Sequence, residues 1–240
     1  MPAWDALGLV DMVNVSSFYF HTTELDIEAF KAHTSHARIY GEMNYVTYQN
    51  SRVSTFARRY TTTQTYHASA LNLLHRGADG LSLFNTDYVP AAQRAAMTAG
   101  LQGITDLAFL RTTAKQYVVY PGFGSLPIRN DGQVEMIIPD DTSAVRFDRS
   151  VLRLETRENS VGRHLEVQLN GQVLETLDHA DSELFPPLAA NAGYADREAL
   201  RFYAVPLALI NPGRNTVRIR NLDPENAPCA FFSLELALYR

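Results

Sequence analysis

Residues 78–88, Ala-Asp-Gly-Leu-Ser-Leu-Phe-Asn-Thr-Asp-Tyr, limit the fold more than any other stretch. They follow a segment, 62–76, in which Tyr66, Ala70, Leu73 and Leu74 recur at helical spacing. Gly77 then supplies a natural helix stop. A helix, a glycine, a short apolar strand and a polar cluster make up one βα step of a parallel (β/α) barrel. In such barrels the strands pack an apolar core and the chemistry sits at their carboxyl ends. Asn85 and Asp87 fall at such an end. Residues 11–19 and 37–46 read as two earlier strands of the same kind. Between them a helix is expected over 26–33, and a third helix starts at Pro90 and runs to about residue 101. The polar stretch 49–60, with Arg52, Arg58 and Arg59, is too long for an ordinary βα turn and fits a lid or site loop.

From about residue 105 the helical period fades. Strand-like segments follow at 133–138, 143–147, 151–156, 164–169, 172–177, 200–206, 216–220 and 230–238, with turn signals such as Asn170-Gly171 between some of them. Asn-Gly between two alternating segments is the strongest short hairpin cue. The expected fold is therefore α/β plus all-β: about three βα units of a partial barrel over 1–122, then an antiparallel β-sandwich or jelly roll over 123–240.

The chain carries a formal net charge of −5 and no basic run, which disfavours nucleic acid as a partner. Its only cysteine is Cys229, so no internal disulfide and no cysteine-based metal site can form. The seven histidines are scattered, and no metal site is expected. No apolar run approaches the roughly 20 residues of a membrane span. The N-terminus shows neither a basic region nor an apolar core, so the chain as written is expected in the cytoplasm, and outside it only if a leader precedes it. There is no Gly-x-Ser-x-Gly elbow, and Gly122 and Gly124 lack the third glycine and helix of a dinucleotide site.

Three ordered patterns, residues 8–16 (Gly-Leu-Val-Asp-Met-Val-Asn-Val-Ser), 24–30 and 77–85 (Gly-Ala-Asp-Gly-Leu-Ser-Leu-Phe-Asn), together resemble the later part of the glycosyl-hydrolase-like, family-10-like barrel proteins of bacteria. The resemblance covers roughly residues 6–120 and, more loosely, the strand-rich remainder. It implies a (β/α)8 barrel followed by a sandwich like a carbohydrate-binding module. Only three of eight units are visible, and a closed barrel needs about eight strands. Completion by a second copy or by another chain is therefore expected, unless the sequence is a piece of a longer product.

The resemblance places Glu42 at the end of the penultimate strand, where many retaining glycosidases on this fold carry the nucleophile. A second carboxylate is needed, about 5 Å away for retention or about 6.5–9.5 Å away for inversion. Asp87 is the in-chain candidate. The plainer alternative pairs Glu42 with Arg38 or Arg52 at a strand end. Ser16, Tyr19, His21, Asn44, Tyr45 and Asn85 are candidate sugar ligands, since hydroxyls, amides and aromatic rings at strand ends suit a carbohydrate. Asn85 and Asp87 equally suit a turn cap. Tyr194, Phe202 and Tyr203 either offer a stacking face in the sandwich or fill its core. The function these residues imply is a glycoside-hydrolase-like protein that acts on or binds a poly- or oligosaccharide and needs no cofactor. The alternative is a non-catalytic carbohydrate-binding or assembly protein.

Overall fold

The computed structural model describes residues 2–17, 21–23, 25–50, 57–119, 130–156, 160, 162–178, 200–223 and 229–240. A short helix α1 (Pro2–Ala6) leads through Gly8, at φ +64°, into strand β1 (Met12–Val15). Helix α2 (Ile27–Ala32) precedes β2 (Arg38–Asn44). Its cap is Asp26, whose carboxylate accepts from the Ala29 amide at 3.2 Å. Helix α3 (Thr63–His75) follows and leads to β5 (Gly80–Phe84). The three strands form a parallel sheet in the order β1-β2-β5, with Val13 opposite Ile39 and Glu42 opposite Ser82.

Two carboxylates fix the amino end of β2. Asp5 accepts from the Ser35 and Ala37 amides, both at 2.6 Å, and from the His36 amide at 3.1 Å. These bonds hold its carboxyl well below the usual range, at about 2. Asp79 accepts from the Ile39 amide at 2.7 Å and pairs with Lys31 at 2.9 Å.

The stretch read as a lid or loop contains a hairpin, β3 (Val46–Asn50) and β4 (Ala57–Tyr60), with residues 51–56 outside the described set. Helices α4 (Ala91–Gly100) and α5 (Leu107–Arg111) follow β5, and α5 was not signalled by the sequence.

The remaining strands build two antiparallel sheets. Those strands are β6 (Lys115–Val119), β7 (Asp131–Ile138), β8 (Arg149–Thr156), β9 (Leu165–Leu169), β10 (Gln172–Val173), β11 (Glu175–Leu177), β12 (Leu200–Val205), β13 (Gly213–Asn221) and β14 (Phe231–Tyr239). One sheet runs β10-β9-β13-β7 and the other β11-β12-β8-β14-β6. Val134, Met136, Val217 and Ile219 of the first share a core with Leu152, Leu154, Leu234 and Leu236 of the second. The expected Asn-Gly hairpin is present, with Asn170 and Gly171 both at positive φ between β9 and β10.

Two strand expectations need correction. Residues 143–147 are not a strand, because Asp141 accepts from the Ser143 and Ala144 amides and bends them into a turn. Segment 172–177 divides at Leu174, which turns into the core, so that β10 joins one sheet and β11 the other.

The expected boundary at 122/123 lies outside the described residues. β6, which precedes it, pairs with β14 from Leu234↔Val119 to Leu238↔Lys115. Helix α3 packs against β6 as well as against β2 and β5. Gly41 permits the close approach to β2, since a Cβ there would lie 2.7 Å from Leu73 Cδ2. At the edge of β6, Lys115 is fully buried and pairs with Asp140 at 2.9 Å, while Tyr117 donates to the same carboxylate at 2.5 Å. Burial lowers the Lys115 pKa and raises that of Asp140. Replacing Lys115 with Met leaves Asp140 as a buried charge without its cation. We expect a loss of about 3–5 kcal/mol in urea unfolding, largely recovered when Asp140→Leu is added.

Candidate functional site

A parallel strand alternates its side chains, so Asn14 on β1, Glu42 and Asn44 on β2, and Ser82 on β5 share one face of the sheet. Helix α3 covers the other face through Leu73 and Tyr66. Glu42 is 9% exposed, whereas Asn14 is open to solvent. Asn14 Nδ2 donates to Glu42 Oε2 at 2.7 Å, and Ser16 Oγ donates to Oε1. Ser82 Oγ donates to Asn14 Oδ1 at 2.6 Å, so the Asn14 amide must turn its NH2 toward the carboxylate. Three side chains, two of them bonded to it directly and Ser82 through Asn14, thus fix one carboxylate. Arg38, proposed as its ion-pair partner, makes no bond to it among the described residues, and Arg52 lies outside them.

Beyond Glu42 the strand end is held from behind. His21, 1% exposed, faces the Asn44 carbonyl with Nδ1 at 3.0 Å and Ser69 Oγ on α3 with Nε2. A carbonyl only accepts, so Nδ1 carries the proton and Nε2 accepts from Ser69. His21 therefore braces β2 and does not face a ligand. Asn44 is fully buried, with its Oδ1 unpartnered among the described residues and its Nδ2 at 3.5 Å from Ser17 Oγ. Tyr45 packs between Tyr60 and Tyr88, with ring centroids at 6.2 and 6.0 Å. Tyr88 is 64% exposed at this end of the sheet.

The structure brings Ser16 and Glu42 together and puts Asn44 and Tyr45 at the same strand end. Tyr19 lies outside the described residues, as does Tyr194. Asn85 adopts a left-handed conformation at φ 55°, and its carbonyl accepts from the Tyr88 amide at 3.0 Å, so its backbone makes the turn. Asp87 sits in that turn with an exposed side chain and makes no bond to Glu42 or its partners among the described residues. Tyr203 fills the sandwich core, while Phe202 lies on the outer face of its sheet beside Val151 and Ala237. Sequence reading missed Asn14, Ser82 and Tyr88. The alternation Val13-Asn14-Val15 carries the signal for Asn14, but only the register places it beside Glu42. Among the described residues no three His, Cys, Asp or Glu side chains group as metal ligands, and no helix is long and apolar enough to cross a membrane.

No protein-family model and no curated protein matches the chain. Among solved structures it is similar to a beta-porphyranase of glycoside hydrolase family 86 from the human gut bacterium Bacteroides plebeius. That match has 14% identity and a TM-score of 0.34 and covers 52% of this chain and 21% of that one. It is also similar to wild-type BuGH86 in complex with neoagarooctaose, at 15% identity and a TM-score of 0.30, covering 52% of this chain and 19% of the other. A variant of BuGH86 with the same saccharide matches at 16% identity and a TM-score of 0.30 over the same shares. The chain thus spans about a fifth of the length of these proteins, which are of family 86 and not of the family-10-like set. The overlap assigns neither a substrate nor a reaction to this chain.

Burial lowers the His21 pKa from 6.5 to about 4 and lowers that of His67 in the same direction. As pH falls through this range the unfolded chain takes up the proton first. Stability is therefore full above about 6.5 and declines toward about 4. Melting temperatures measured from pH 7 to pH 4 should show this decline, and His21→Gln should flatten it.

Proposed function

We propose that this is a carbohydrate-active, glycoside-hydrolase-like protein whose site is the polar face at the carboxyl ends of β1, β2 and β5. The observation that carries this reading is the Glu42 carboxylate, fixed by Asn14 and Ser16 on a partly open sheet face, with exposed Tyr88 against Tyr45 at the same end of the sheet. A sugar ring offers hydroxyls that need acceptors at set angles, and an apolar face of C–H groups that stacks on an aromatic ring. Glu42, Asn14, Ser16 and Ser82 supply the first requirement, and Tyr88 the second. Asn85, whose side chain makes no cap bond, and Tyr45 behind Tyr88 complete the wall.

In a hydrolytic reaction Glu42 is the nucleophile or the base. Its two donors orient the carboxylate so that a remaining lone pair points at the anomeric carbon or at a water. The acid is Asp87 or a carboxylate from another chain. The sheet is then a segment of a (β/α) barrel. The outer edges of β1 and β5 carry no further strand among the described residues, which supports completion by more chain or by a second copy.

A non-catalytic binding protein is the second reading, favoured by the separation of Asp87 from the Glu42 network. Titration calorimetry and a reducing-end assay on a panel of soluble polysaccharides separate the two. For an enzyme, Glu42→Gln should keep binding within a few-fold and cut hydrolysis by about 10²–10⁴. Binding by the parent chain without any release of reducing ends favours the second reading. Absence of both sinks the proposal.

A further inference from the structure

The sandwich reaches the strand-end face through hydrogen bonds, most of them buried, that are joined by the peptide link between Thr62 and Thr61. On the outer face of the five-stranded sheet, Arg153 Nη2 donates to Glu235 Oε2 at 2.6 Å, with both side chains buried. Gln116 Nε2 donates to the same oxygen. Because that bond turns the Gln116 amide toward the carboxylate, its Oε1 faces the start of α3. There it accepts from Thr65 Oγ1 at 3.2 Å and Thr62 Oγ1 at 3.3 Å. Thr62 also caps the helix, accepting from the Thr65 amide at 3.2 Å. The next residue back, Thr61, donates its hydroxyl to the Asn44 carbonyl at 2.7 Å and its amide to the Tyr45 carbonyl at 2.8 Å. A second tie runs beside the first, where Thr23 Oγ1 donates to the Val118 carbonyl at 3.0 Å. His21, two residues earlier, donates its amide to the Val46 carbonyl at 2.8 Å.

We propose that Gln116 and Thr65 are positioning residues for the strand-end site. Through Thr61 they transmit the rigidity of the buried Arg153–Glu235 pair to Asn44 and Tyr45. This rests on the strand-end face being the functional site. The physical basis is that every member is buried or nearly so, where an unmade hydrogen bond costs more than in water and each bond fixes the next. In this arrangement the sandwich is no detachable accessory, because its sheet sets where β2 ends. Neither Gln116 nor Thr65 touches Glu42, Asn14 or Ser16, so they act on the carboxylate face only through the backbone of residues 44–46.

The test is amide hydrogen exchange on the full chain, read with saccharide affinity. Thr65→Val removes the hydroxyl at nearly constant volume, and Thr65→Ser restores it. Gln116→Met breaks the same link from the other side. Expected is exchange about tenfold faster at residues 44–47 in the Val and Met variants, the factor one hydrogen bond of ordinary net strength gives. It should return to the parent rate in Thr65→Ser, with β7 and β13 unchanged throughout. Saccharide affinity should weaken in step. Unchanged exchange at 44–47, or an equal rise across β7 and β13, overturns the proposal. If the parent chain binds no saccharide, only the functional reading fails, and the exchange result still decides the relay.

Discussion

Everything in this molecule leans on α3, a helix buried on both sides. Tyr66, Ala70, Leu71 and Leu73 enter the core under the parallel sheet, while Ala68 belongs to the core of the sandwich. A helix in that position is expected to be apolar all round, yet α3 carries Thr65, His67, Ser69 and Asn72 in its buried span. Each bonds to a different part of the chain, although Asn72 Oδ1 has no partner among the described residues. Ser69 meets His21, His67 faces the Gly100 carbonyl at 2.8 Å, and Asn72 donates to the Ile137 carbonyl at 2.6 Å. Thr65 meets Gln116. An unsatisfied polar group at such depth costs about 1–3 kcal/mol, so these bonds leave α3 one place to sit. The helix thereby sets the relation between the parallel sheet and the two antiparallel ones.

That arrangement explains what could be read from the sequence. The stripe Tyr66, Ala70, Leu73, Leu74 and the stop at Gly77 are local facts, and the helix formed with Gly77 at φ +95°. The Asn170-Gly171 turn is local too, since it needs two positive φ values and these residues tolerate them. Most sandwich strands were legible from alternation for the same reason. What failed was not local. Nothing within 172–177 says that Leu174 leaves one sheet so that the next residues can join another. The buried polar side chains of α3 carry no local signal either, because their partners lie from 33 to 65 residues away.

The site divides in the same way. Glu42 was singled out by the strand-end place that the resemblance implies, and it sits among the polar side chains of that face. Ser16 stood out as a sugar ligand and Asn14 not at all, and neither looks like a partner of Glu42 until the parallel register of β1 and β2 places Asn14 beside it. His21 was legible as a functional histidine only by position in the chain. Its burial, and the carbonyl that fixes its tautomer, assign it to bracing the strand.

The placement of charge then separates structure from function within one fold. Lys115–Asp140 and Arg153–Glu235 are each buried and paired, in positions where a well-packed apolar pair can serve stability equally well. Lys115 lies on β6, the strand that backs onto α3, and Glu235 on its neighbour β14, and so the pairs fix a register that apolar contacts alone leave free to slide. Glu42 is held differently. Among the described residues it has no cation beside it, its two donors are neutral, and one of them, Asn14, is open to solvent and itself oriented by Ser82. A carboxylate held by neutral donors on a partly open face retains its attraction for a hydrogen-bond-donating ligand. The buried pairs have already satisfied theirs within the chain, which is why the candidate site lies on the parallel sheet and not on the more heavily charged sandwich.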